Sequence, residues 1–122
     1  MKKIVSFLGL CVVAALLFVS CDTLVVKSFD KTLLYGKWQS GTLFYKYLND
    51  GSGATWDTKD DVTEAEAQKF TWTLVQSELT QNHIMEIGGT VPKVYTVTEL
   101  TDSTLVYNDD FGKNFSFVKV IE

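Results

Sequence analysis

Arginine is missing altogether, and all eleven basic residues are lysines. No side chain therefore offers the planar, two-pronged donor that grips phosphate or carboxylate. Acids outnumber bases, 15 against 11, for a formal charge of −4 at neutral pH. That balance, without arginine, argues against nucleic acid, whose binding depends on a basic face. Cysteine is limited to Cys11 and Cys21, too few for a disulfide framework or a Cys-rich zinc site. Histidine is limited to His83, so there is no His cluster, and no Ser-His-Asp triad or Cys-His pair can be assembled. His83 is read as a strand residue with its ring satisfied by hydrogen bonding. The single proline, Pro92, cannot donate to a sheet ladder and is expected at a strand start or an edge.

Long apolar runs are also wanting. Residues 4–19 form one apolar stretch, shorter than the roughly twenty residues a spanning helix needs. Met1-Lys2-Lys3 supplies a cationic end, and Phe18-Val19-Ser20-Cys21 closes the stretch with a small residue before cysteine. The segment resembles a bacterial lipoprotein signal, with Phe18 a mild departure from the usual Leu. The resemblance implies cleavage after Ser20, a diacylglyceryl group on the sulfur of Cys21 and acylation of the freed amine. Two or more acyl chains anchor a protein stably, at about 0.8 kcal/mol per buried methylene. Residues 1–20 are thus read as a leader, residues 21–34 as lipidated terminus and tether, and residues 35–122 as one domain. Losing Lys2, Lys3 and Cys11 with the leader takes the formal charge from −4 to −6. With Cys21 lipidated no thiol remains, which excludes an intramolecular disulfide, Cys-ligated zinc and a cysteine nucleophile.

From Tyr35 onward the pattern is β. Short runs rich in Val, Thr, Tyr, Phe and Trp alternate with turn clusters, a spacing typical of sandwiches and barrels. Strands are expected over 37–48, 54–57, 70–75, 78–87, 91–99, 104–108 and 114–120, seven or eight if the first run is split. In that run Trp38 is followed by Leu43, Tyr45 and Tyr47, so the inward parity switches near Gly41, where a bulge would explain it. Phe70, Trp72 and Leu74 alternate with Thr71, Thr73 and Val75, the cleanest half-buried strand. Tight turns at Asn49-Asp50-Gly51, Gly88-Gly89, Thr101-Asp102-Ser103 and Asp109 to Gly112 join antiparallel neighbours, which predicts an up-and-down meander. The longer connection, residues 58–68, carries Asp61 with Glu64 and Thr63 with Glu66. Either pair suits a capping box, so one short helix is predicted there, lying across a mouth of the sheet. Leu33 and Leu34 are expected to plug one end.

Gly36-Lys37-Trp38 resembles the Gly-x-Trp entry of lipocalin-like domains. The ordered string that follows, Asp50-Gly51, Phe70-Thr71-Trp72, Tyr95-Thr96-Val97 and Leu100-Thr101-Asp102-Ser103-Thr104-Leu105, is similar to small lipocalin-like lipoproteins of Bacteroidota. The resemblance spans about residues 33 to 120. It implies a calycin-like antiparallel barrel, exported and lipid-anchored at the outer membrane, usually without an assigned ligand. Surface-exposed lipoproteins of that phylum resemble one another in an acidic cluster after the cysteine. Asp22-Thr23-Leu24-Val25-Val26-Lys27 has one acid, which favours the periplasmic side.

An eight-stranded barrel is just wide enough to be filled by side chains or to hold one small ligand. Trp38, Phe44, Phe70, Trp72, Met85, Ile87, Tyr95, Leu105, Phe115 and Phe117 are the candidate pocket or core residues. Tyr45, Tyr47, Trp56 and Tyr107 are read as packing aromatics, with a place at a barrel mouth as the alternative. Asp57, Asp60 and Asp61 are weak candidates for calcium, which takes six to eight oxygens. Lys59 among them and the lack of an ordered spacing favour a solvated turn. Glu78, Glu86 and Glu99 fall on strands, with nothing to bring two of them into one cleft. The chain reads as a non-enzyme without cofactor, in one of two classes: a barrel that takes a small apolar ligand, or a filled barrel that contacts another envelope protein.

Overall fold

Turn chemistry divides the domain into eight strands in a computed structural model that describes residues 27–122. They are β1 (Gly36–Ser40), β2 (Leu43–Tyr47), β3 (Ser52–Asp57), β4 (Gln68–Val75), β5 (Glu78–Ile84), β6 (Thr90–Leu100), β7 (Thr104–Asn108) and β8 (Asn114–Val120). Each pairs antiparallel with the next, and β8 returns to β1 through Trp38 opposite Lys119. The sheet is a closed up-and-down barrel. The expected leader and the lipidation site at Cys21 lie outside the described residues.

Alternation along the strands sets the interior. Trp38, Tyr45, Tyr47, Phe70, Trp72, Leu79, Tyr95, Val97, Leu100, Leu105, Tyr107 and Phe117 form one buried cluster, with Phe115 packed against it. The two tryptophans inside the barrel also find partners for their N–H groups: Trp38 donates to the Leu34 carbonyl at 2.8 Å and Trp72 to that of Ser52 at 3.0 Å. Phe70 lies directly over Gly53, where a Cβ would come within 2.5 Å of its ring and 2.6 Å of the Lys46 carbonyl. Only glycine admits that approach.

One end is plugged. Asp30 caps a 3-10 turn at Lys31–Leu34, accepting from the Thr32 N–H at 3.0 Å, and Leu34 is fully buried. Lys119 fastens this plug to β8. Its ammonium sits 4.6 Å from the Trp38 ring and donates to the carbonyls of Leu33 and Tyr35. Burial there lowers the lysine pKa, with Asp102 opposing the shift.

Three sequence expectations need correction. The first run does not bulge at Gly41 but turns there, and Gly41 takes the positive φ of 60° that a tight hairpin requires. The connection between β3 and β4 forms two single 3-10 turns, Thr58–Asp60 and Glu64–Glu66, instead of one helix. Asp57 caps the first through the Lys59 N–H, and Asp61, left-handed at φ 61°, ends it. Thr63 and Glu66 do pair, with the Thr63 Oγ1 at 3.1 Å from Glu66 Oε1. Nor does the connection cross a mouth: Glu64 reaches the outer wall and bridges Lys37 at 2.6 Å and Lys46 at 3.2 Å. These lysines face each other across β1 and β2, so the carboxylate separates like charges and is held below its usual pKa by Lys37 and then Lys46. Finally, Phe44 and Ile87 do not enter the barrel. Phe44 faces outward and stacks on Trp56 at 5.2 Å, and Ile87 is 99% exposed in the β5–β6 turn.

Candidate functional site

A polar chain runs through the apolar interior. Gln81 and His83 alternate with Leu79 on the inward face of β5, opposite Trp72 and Phe70 of β4, and are 0% and 1% exposed. Gln81 Nε2 donates to the Tyr47 hydroxyl at 2.8 Å, and its carbonyl oxygen lies 2.8 Å from His83 Nε2. The other ring nitrogen, Nδ1, meets the Gln68 carboxamide at 3.2 Å. Gln68 belongs to the exposed start of β4, so the chain leads from the barrel rim to its centre.

Electrostatics keep this relay neutral. Desolvation, reinforced by the charge of Lys93, lowers the His83 pKa from 6.5 to about 4. A neutral ring has one donor and one acceptor. With Nε2–H given to the Gln81 carbonyl oxygen, Nδ1 faces Gln68 Oε1, and a neutral ring needs the Gln68 carboxamide turned about its last torsion to supply a donor there. An imidazolium would instead donate to two carbonyl oxygens. Burial also raises the pKa of Tyr47 and of Tyr107, with nearby phenols adding to the effect, and pushes Tyr95 up to about 12. The arrangement holds uncharged hydrogen-bonding groups in register and supplies no carboxylate to move a proton.

Above the relay, β4 and β5 splay apart at the rim. A crevice of about 580 Å³ opens there, lined by Ala67, Gln68, Ile84, Met85 and Ile87 with Glu66, Lys69 and Glu86 at its edge. Gln68 and half-buried Met85 connect it to His83. Its size falls in the range of small-molecule sites, and its position is peripheral to the core.

The candidates from sequence divide accordingly. Trp38, Phe70, Trp72, Tyr95, Leu105 and Phe117 are buried core, Phe115 is a partly buried neighbour and Met85 is at the rim. Tyr45, Tyr47 and Tyr107 are core, not mouth, residues, while Trp56 is buried on the outer wall against Phe44 and beneath Lys37. Asp57 accepts from the Lys59 N–H at 2.9 Å, and Asp60 and Asp61 are exposed. Among the described residues no three His, Cys, Asp or Glu side chains gather as a metal site. Glu78, Glu86 and Glu99 are all exposed. Gln81 and Gln68 were not foreseen, because a polar residue at inward parity carries no mark in the sequence.

No family model matches the chain, and neither a curated protein nor a solved structure matches it.

Proposed function

We propose that this chain is a lipid-anchored, lipocalin-like protein of the bacterial cell envelope. In this reading its filled barrel is a rigid module that contacts another envelope protein through its outer surface and loops. The observation that carries it is the occupancy of the interior: Trp38, Tyr47, Phe70, Leu79, Leu105 and Tyr107 are each no more than 1% exposed. What remains of the interior is spanned by the neutral Tyr47–Gln81–His83–Gln68 chain, which supports a non-catalytic role. The signal-like leader supports the anchor at Cys21, in the outer membrane, on the periplasmic side. Protease added to intact cells should leave the domain uncut, and digestion would move it to the cell surface.

A second reading, a small apolar ligand, is favoured by the rim crevice beside Met85. Titration with an apolar fluorescent probe such as N-phenylnaphthylamine separates the two. A filled barrel gives no saturable uptake. Stoichiometric uptake that Met85→Glu abolishes would replace the first reading with the second.

A further inference from the structure

Both ends of the barrel expose apolar side chains, Ile87 and Phe111 being 99% and 95% exposed at the open one, and what distinguishes them is that the tether leaves from the plugged end. Lys27 donates to the Thr98 carbonyl at 3.3 Å and the Phe29 N–H to that of Gln76 at 3.2 Å. Both contacts lie by the β4–β5 turn, at the Leu34 end. Around that end Leu48, Val75 and Ile121 are 41%, 64% and 95% exposed. Val75 shares one rim crevice with Lys31, Tyr35 and Asn49. Large apolar side chains left open beside lysines make an amphipathic rim, which suits the boundary between headgroups and acyl chains.

Tether length restricts what can cover this rim. Six peptide steps separate Cys21 from Lys27, and fully extended chain spans at most about 3.6 Å per residue, so about 20 Å in all. An acylated Cys21 therefore holds the plugged end at the membrane. From these observations, and resting on the lipid-anchor reading above, we propose that the barrel seats this end on the phospholipid surface, with Leu48, Val75 and Ile121 entering the headgroup boundary. The opposite end, with Ile87 and Phe111 at its turn tips, faces away from the lipid. Asp30 and Asp50 at the seated end accept from Thr32 and Ser52, which anchors their carboxylates in turns instead of leaving them directed at lipid.

The test uses the full chain expressed in its membrane and reconstituted in phosphatidylethanolamine–phosphatidylglycerol vesicles. Single variants Leu48→Cys, Val75→Cys, Ile121→Cys, Ile87→Cys and Phe111→Cys are coupled to an environment-sensitive thiol dye. The expected result is blue-shifted emission, quenched by brominated acyl chains, at 48, 75 and 121, with water-like emission at 87 and 111. Water-like emission at all five positions, or quenching confined to 87 and 111, overturns the seating while the anchor stands. The unsubstituted chain is the control for the reading beneath it. Removal of Cys11 and lipidation of Cys21 leave it without a thiol, so dye uptake by that chain refutes the anchor and the seating together.

Discussion

Protonating His83 would place an imidazolium against Phe70, 5.1 Å away, between two glutamines that already share its ring nitrogens. Its folded pKa of about 4 lies below the ordinary 6.5. Between those values the unfolded chain binds a proton that the native state refuses. The associated stability is complete above pH 6.5 and is lost as pH falls toward 4, at about 1.4 kcal/mol per unit. His83→Gln removes the titration while keeping a hydrogen-bonding side chain. Urea midpoints measured from pH 7 to 4 should therefore fall less steeply for the variant than for the parent, and parallel slopes would show that His83 is not held neutral. At this scale the sequence was legible wherever an apolar residue shared the parity of its strand, as with Phe70, Trp72 and Leu105. It misled at Phe44, where an aromatic is buried from outside by Trp56 and not by the core.

Among the elements, β6 is the longest strand and outruns its neighbour. The β6–β7 pairing stops at Thr96 opposite Asn108, so Thr90 to Tyr95 pair with β5 alone. The Val97 N–H points to Ser77 on the β5 side, and by alternation Thr90, Pro92 and Val94 turn their backbone groups to the open edge. Pro92 removes a donor from the middle of that edge, a recognised guard against strand addition. Val91 and Val94, 43% and 38% exposed, flank it. Pro92→Thr restores the donor, so sedimentation of the variant should reveal self-association beyond the parent's as concentration rises. Identical sedimentation would mean that the edge is protected some other way. Edge placement of Pro92 could be read from its missing N–H, and the hairpins from their Gly and Asn residues. The register shift between Val97 and Glu99 could not, because a bulge depends on how two strands meet around a closed barrel. The same limit applies to the Thr58–Gln68 connection: the Thr63–Glu66 capping box was visible, but neither the cap at Asp57 nor the Lys37–Glu64–Lys46 bridge that draws it onto the outer wall.

For the whole molecule, local alternation and tight turns were enough to predict an antiparallel meander of seven or eight strands, while the choice of barrel over sandwich came from the lipocalin-like resemblance. Whether the barrel is full depends on side-chain volumes meeting in space, and that became visible only with Tyr45, Tyr47 and Tyr107 converging inside. The proposed arrangement is a rigid, occupied barrel held at a membrane by acyl chains on Cys21. Native mass spectrometry of the protein extracted from its own membrane with mild detergent tests it most directly. The expected result is one species, beginning at Cys21, carrying diacylglyceryl and amine-linked acyl groups and no retained small molecule. A species that keeps residues 1–20, or one that carries a stoichiometric non-covalent ligand, would contradict it.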